Sequence, residues 1–299
     1  MAARPWPPRA FCERAGLPLL RRIAASAAAL AAAGRLLAGR EALVCHAWVG
    51  LSDAADRAAA EQVAAEGVRI AVTAGFRARP LPVREQRKTW RTLLAEADRA
   101  RASVIVAGAH GRSGLARTIL GSVSSALVHH SARPTLVVPG APPAEPPDGA
   151  LLLCYDGSAS AKHALEAAAE LCAPRDGLVF HFWESWVARA PTLARVSGST
   201  QGMATELDEI ADDQSREVTT RGVELARAAG FEAEGLSEPA LGSPWMAVLD
   251  AADARDCAGI VVGSRGLTGL SAALGSVSSG VLHHSRLPVL VVPLADTGT

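Results

Sequence analysis

The chain has 299 residues, 49% of them hydrophobic, with Lys+Arg and Asp+Glu equal at 30 each and a formal net charge of zero. That length suits two domains of about 100 to 200 residues, and the charge balance excludes capture of nucleic acid or anionic lipid through a bulk excess of one sign. Five cysteines (Cys12, Cys45, Cys154, Cys172 and Cys257) are scattered, odd in number and without CxxC spacing, which reads as reduced thiols in a cytoplasmic protein.

In chain order, Arg21-Arg22 precede a small-apolar run from Ile23 to Ala33, a pattern shared with twin-arginine export signals. The run of about eleven residues falls well short of the roughly 20 that cross a membrane. An amphipathic helix inside a domain is the expectation. Leu43 to Trp48 reads as a strand, and the segment from Gly108 to Pro139 ends in the apolar run Pro134 to Val138. Residues 139–149 read PGAPPAEPPDG, a proline-rich linker that sustains neither helix nor central strand.

Beyond the linker, strand and helix alternate. Leu151 to Tyr155 is a short apolar run before Asp156-Gly157-Ser158, and Ala159 to Cys172 is helical in composition. Leu178 to Trp183 predicts a second strand, Met203 to Ala229 a long helix, and Phe231 to Leu236 a third strand. Trp245 to Ala254 predicts a helix and Gly259 to Val262 a buried strand. A glycine loop, a helix over Val277 to Ser285 and a last strand at Val289 to Val292 complete the set. This alternation implies a parallel sheet with helices on both faces.

The chain also repeats itself. Gly108 to Pro139 returns at Gly263 to Pro293, with LGSVSS, HHS and a terminal LVVP in common. Leu43–Trp48 matches Leu178–Trp183 at an offset of 135 residues, whereas the loops match at 155. The first copy therefore lacks about 20 residues between its second and third strands, where the second carries its long helix. The offset of 135 also places a first strand at Gly16 to Leu20 and sets Arg21 opposite Asp156.

A strand, a glycine loop and a helix start form a phosphate cradle in α/β proteins, because glycine lets backbone approach and free amides point at the anion. Gly263, Gly266, Gly275 and Ser276 fit that description, and Ser276 or Ser278 could also cap the helix. There is no GxxxxGK[ST] motif, so rapid hydrolysis is not implied. GSVSSG does not satisfy GxSxG in any register, which removes the serine-hydrolase reading. No enzyme activity is expected.

With its loop Gly108-x2-Gly111-x9-Gly121-Ser122 and the acidic Asp156 after a first strand, the chain resembles the universal stress protein family. The resemblance implies two tandem, doubly wound, five-stranded parallel sheets of the adenine-nucleotide α-hydrolase-like fold, at residues 15–140 and 150–295, the first copy degenerate. It implies ATP as ligand and a role as sensor or regulator in stress. It further implies Asp156 at the ribose or adenine end, Phe182 and Val262 as adenine-pocket lining, and Gly263, Gly266, Gly275, Ser276, Val277 and Ser278 as the phosphate run. Each copy departs from the pattern once. Arg21 replaces the acid in the first, a donor-only cation where an acceptor is needed, while Gly266-x8-Gly275 in the second is one residue short, a change expected to be absorbed at the loop tip.

Other readings stay open at particular residues. The glycines could make a plain turn without a ligand, leaving a dimerisation module with pseudo-sites, and Asp156-Gly157-Ser158 could be only a turn and cap. His129-His130 and His283-His284 have no acidic or thiol partner at ligand spacing; they are expected to face the helix dipole or to pack on the other half. Trp183 and Trp186 are expected to cover core or interface. The two last strands should pair and hide each other's edges, giving an intramolecular pseudo-dimer, with a further homodimer possible.

Overall fold

The computed structural model describes residues 17–18, 23–37, 39–49, 53–85, 88–109, 120–140, 148–189, 198–264 and 274–294. The first half runs β1 (Leu17–Pro18), α1 (Ile23–Leu37), β2 (Glu41–Trp48), α2 (Asp53–Thr73), β3 (Arg77–Arg84), α3 (Thr89–Arg99), β4 (Ile105–Gly108), α4 (Ser122–His130) and β5 (Thr135–Val138). The second runs β6 (Leu151–Cys154), α5 (Ala159–Cys172), β7 (Asp176–Glu184), α6 (Trp186–Arg189), α7 (Gly198–Ala229), β8 (Glu232–Ala240), α8 (Pro244–Ala254), β9 (Gly259–Gly263), α9 (Ser276–His284) and β10 (Val289–Val292).

Short unbroken apolar strands such as Leu151–Cys154 and Val289–Val292 have no polar face to offer water, so they are stable only between helix layers. The second half accordingly forms a parallel sheet in the order β8-β7-β6-β9-β10. The first half has the same order, but among the described residues its ladder is broken. β2 and β3 pair over eight residues as a separate sheet, and β1 pairs with β4 alone. β2 packs beside β1 without a ladder between their described residues. Of the expected strand from Gly16 to Leu20, Leu17 and Pro18 are described and are extended beside β4, and Pro18 carries no amide hydrogen for a ladder.

The halves are joined through their last strands. β10 runs antiparallel to β5, with Val289↔Val137, Leu290↔Leu136 and Val291↔Thr135. Eight strands thereby form one sheet that spans both halves, with β2 and β3 as a separate pair, and the strands expected to hide each other's edges do so. Leu136, Val137, Leu290 and Val291 are all buried, each side chain contributing about 1.5–3 kcal/mol. On one face the alanine-rich helices α1 and α5 meet over a shared core containing Ala29, Ala33, Leu136, Ala164, Ala168 and Leu290. Arg40 ties the rim by donating to the carbonyls of Glu170 and Leu171 at 2.6 and 2.9 Å. The run from Ile23 to Ala33 thus lies in a helix at the junction of the halves; Arg21 and Arg22 lie outside the described residues.

The copies are offset by 135 residues at Trp48 and Trp183 and by 155 at Arg77 and Glu232, so the 20-residue difference does lie between second and third strands. It shortens the helix there without removing it: α2 has 21 residues against 32 in α7. What the first half lacks is α6 and the front of α7. The outermost strands are protected in the same way at both ends. Arg77 donates its amide to the Arg40 carbonyl before β2, and Glu232 donates to that of Arg175 before β7. The alternate amides face away from the sheet, and Pro80, Pro82 and Pro239 occupy those outward positions, where a missing N–H costs nothing and blocks pairing with another chain.

Candidate functional site

The carboxyl ends of β6, β7 and β9 lie side by side, because β6 pairs with β7 at Cys154↔Phe180 and with β9 at Leu153↔Val261. Strand order reverses here, and doubly wound sheets hold ligands in the crevice at such a point. Asp156, Phe182, Val262, Gly263 and the start of α9 converge on it. Gly266 lies outside the described residues.

Asp156 builds its own turn. Its Oδ1 accepts the Ser158 amide at 3.0 Å, and Ser158 Oγ accepts the Ala161 amide at 3.1 Å, capping α5. Gly157 takes φ +81°, a left-handed conformation that glycine adopts without steric cost. The second carboxylate oxygen of Asp156 has no hydrogen bond among the described residues and is available at the strand end. Asp-Gly-Ser is therefore a turn and a cap, and it leaves one acceptor over.

Gly263 lets β9 close on α5, since a Cβ there would stand 2.6 Å from Ser160 Oγ. Ser160 is buried and its hydroxyl has no hydrogen-bond partner among the described residues; nothing in its sequence context singles it out. The loop after Gly263 is pinned at both ends. Gly275 donates its amide to the Ser264 carbonyl at 2.9 Å, and Ser278 Oγ donates to the Gly263 carbonyl at 2.7 Å. The first half repeats both bonds, from Gly121 to Ala109 at 2.7 Å and from Ser124 to Gly108 at 2.6 Å. The one-residue length difference falls wholly between matched anchors.

The capping that Ser276 or Ser278 could have supplied is not seen: the N-cap of α9 is Gly275, and no side chain among the described residues caps the helix. Ser278 is buried, so its hydroxyl meets the strand carbonyl instead. The helical ladder begins with the Ser279 amide on Gly275 at 2.8 Å, leaving the amides of Ser276, Val277 and Ser278 ahead of it at the positive end of the helix dipole. Ser276 is exposed, and Val277 is half-buried against the core.

Val262 is buried to 2% in the core beneath α8 and α9, so its side chain supports the floor of the crevice. Phe182 is half-buried over the same cluster, 6.5 Å from the Phe180 ring and 6.2 Å from His181. His181 donates Nδ1–H to the Tyr155 carbonyl at 2.8 Å. Burial pushes its pKa below the ordinary 6.5, more than the Tyr155 carbonyl and Asp156 raise it. Trp183 is half-buried as expected, whereas Trp186 is exposed. The Trp186 amide and Ser185 hydroxyl both bond Asp208, at 2.6 Å each, which fastens α6 to α7. That cover is the part the first half lacks.

His130 and His284 stack within their own halves rather than on the other. His130 stacks on Trp90 with ring centroids 4.5 Å apart, and His284 stacks on Trp245 at 4.4 Å, each at 15° and within its own half. A flat, amphipathic ring on a neighbouring helix offered them more contact than the distant partner did. The signal was present in the sequence, since Trp90 and Trp245 sit at the offset of 155. Cys45, Cys154, Cys172 and Cys257 are free thiols whose pKa is raised by burial above all, Cys45 to about 12 and Cys172 and Cys257 to about 11. Such thiols are inert.

A sequence model described as the universal stress protein family matches residues 14–139 and again residues 149–293. The chain belongs to the universal stress protein family. It carries two tandem domains of that family, each with the adenine-nucleotide α-hydrolase-like fold. A universal stress protein of Mycobacterium tuberculosis is 31% identical over 196 residues, which is 64% of this chain and 61% of the relative. Another from the same species is 37% identical over 84 residues, 27% of this chain and only 26% of the relative. The chain thus spans less than two thirds of the length of either mycobacterial relative. The universal stress protein YxiE of Bacillus subtilis is 30% identical over 48% of this chain and 97% of its own length. The same architecture is found in the crystal structure of a universal stress protein from Archaeoglobus fulgidus, with a TM-score of 0.61 at 22% identity over 93% of this chain and 98% of that one. No helix among the described residues is long and apolar enough to cross a membrane.

Proposed function

We propose that this universal stress protein binds an adenine nucleotide, ATP foremost, in the crevice of its second half. Occupancy would serve as a stress-response signal, and the protein would act as a cytoplasmic sensor or regulator. The observation that supports this reading is the strand-order reversal itself, where β6 leads to Asp156 and β9 to the loop before α9, with one Asp156 oxygen and the amides of Ser276, Val277 and Ser278 without a partner among the described residues. Asp156 would accept from ribose hydroxyls, Phe182 would lie against the base above Val262, and Gly263, Gly266 and Gly275 would let phosphates approach backbone. The absent phosphate-loop lysine supports binding without turnover, so the protein is proposed to be no enzyme.

The test is mass spectrometry of ligand released from freshly purified protein, followed by calorimetric titration with ATP. Asp156→Ala should weaken binding about 5- to 150-fold, the equivalent of roughly 1–3 kcal/mol of hydrogen bonding. Asp156→Asn keeps the acceptor for the Ser158 amide, and so separates ligand contact from turn formation. Unchanged affinity in both folded variants overturns the assignment of Asp156. A second reading is favoured by a specific observation: Asp156, Ser158 and Ser278 all have structural bonds of their own. A pairing module with pseudo-sites would use them no further. Absence of released nucleotide and of any ATP binding selects it.

A further inference from the structure

A tryptophan whose place is set by packing alone is covered, because its large apolar surface gains most from leaving water. Trp90 and Trp245 stack on histidines, and Trp183 is half-buried. Trp186 departs from this. It is 52% exposed and has no ring partner among the described residues. Its backbone is nevertheless held firmly. Asp208 of α7 accepts the Trp186 amide on Oδ1 and the Ser185 hydroxyl on Oδ2, both at 2.6 Å, and Ser185 is buried. Bonds to a carboxylate are the stronger kind, and here they fix an indole that nothing in the described core requires.

The place of that indole is informative. Trp186 stands four residues beyond Phe182, at the carboxyl end of β7, which pairs with β6 through Cys154↔Phe180. Asp156 follows β6 at the same end of the sheet, so α6 borders the mouth of the crevice. The first half has lost this arrangement. Continued past Trp48, the offset of 135 sets Gly50 opposite Ser185 and Leu51 opposite Trp186, so hydroxyl and indole are both gone. Asp53 still corresponds to Asp208 at the offset of 155. The loss accompanies that of the acid, since Arg21 stands opposite Asp156. Trp183, by contrast, keeps Trp48 as its counterpart, as a packing residue should.

We propose that Trp186 stacks on the base of a purine nucleotide, covering the face of the ring that Phe182 does not. This rests on the nucleotide reading of the second-half crevice and names the part of the ligand that α6 recognises. A flat π surface fixed beside an acceptor for ribose hydroxyls suits a nucleoside, where an aliphatic or purely phosphate ligand would leave the indole in water. Stacking reads no base edge and strengthens with ring area, so Trp186 selects purines over pyrimidines without separating adenine from guanine. A protein partner would use Trp186 together with the exposed Met203, Leu207 and Ile210 of α7. The pinned backbone, and the loss of the indole in the half that also lost the acid, favour the nucleotide.

Calorimetric titration of the full chain with ATP, CTP and inorganic tripolyphosphate tests this. Trp186→Leu, which installs the residue found in the first half, should weaken ATP binding about 5- to 150-fold. It should leave tripolyphosphate, which has no base, unaffected, and should shrink the preference for ATP over CTP. Trp186→Phe keeps a flat ring and should stay within about threefold of the wild type. Asp208→Ala frees the indole and should weaken ATP about 2- to 10-fold through lost preorganisation. ATP affinity unchanged in Trp186→Leu, while Asp156→Ala still lowers it, overturns the stacking role and leaves the crevice reading standing. Equal losses for ATP and tripolyphosphate overturn it too, since they mark a structural effect. A wild type that binds no nucleotide overturns both. A change in sedimentation of the Trp186→Leu chain in place of a change in affinity assigns the indole to a protein contact instead.

Discussion

Set side by side, the two halves separate what a fold needs from what a ligand needs. Both keep the glycine-loop anchors, the serine that bonds the end of the fourth strand, and the Trp–His stack. Those features hold a helix against a sheet, and losing them would expose core in either half. Only the second half keeps the acidic turn and the cover built from α6 and the front of α7, and among the described residues only its first strand is paired on both sides. The first half has kept the features that serve packing and lost those around the pocket, as expected where selection acts on its pairing with the second half.

The largest test of that comparison lies in a single methyl group. Gly280 of α9 corresponds to Ala126 of α4, yet a Cβ at Gly280 would overlap Trp245 Cγ and stand 2.6 Å from its Cβ. Gly280→Ala is expected to cost about 1–3 kcal/mol by overpacking, while Ala126→Gly should cost only about 1 kcal/mol through helix propensity. Urea denaturation of the two variants measures both; equal costs would mean that the stacks are not packed differently.

A smaller effect should be the same on both sides. Ser278→Ala and Ser124→Ala each leave a strand carbonyl without its donor and should destabilise by about 1–2 kcal/mol apiece. A marked inequality in denaturation midpoint would show that the anchors have diverged along with the pockets.

The next test sharpens the comparison through pH. Burial holds His181 below its ordinary pKa of 6.5, so as pH falls through about 6.5 the unfolded chain takes up that proton before the folded one does. Stability should therefore decline between about pH 7 and pH 5.5, and His181→Asn, which can still donate to the Tyr155 carbonyl, should lessen the decline. Denaturation midpoints at the two pH values, wild type against variant, decide it; parallel losses in both proteins would remove His181 as a source.

The smallest expected effect is none at all. Arg21→Asp restores the acid to the first half, but the first half still lacks the residues that correspond to α6 and the front of α7. Calorimetric titration of the full chain with ATP should give the same stoichiometry before and after the change. A second site appearing in the variant would show that charge, rather than missing cover, emptied the first half.

The sequence by itself determined the repeat, the linker, the strand and helix order of the second half and the family, because those depend on local pattern: apolar runs, proline positions and glycine spacing survive in one dimension. It also located the 20-residue difference through the change of offset. What it left undecided required groups distant in the chain to meet. Ser278 satisfies a strand carbonyl instead of capping its helix, His284 finds Trp245 instead of the other half, and Ser160 faces Gly263, because each side chain takes the partner that packing places nearest. That the last strands pair could be expected from their apolar runs, but only the tertiary structure sets the antiparallel register of β5 and β10, with Leu290 opposite Leu136, because the two runs lie far apart in the chain.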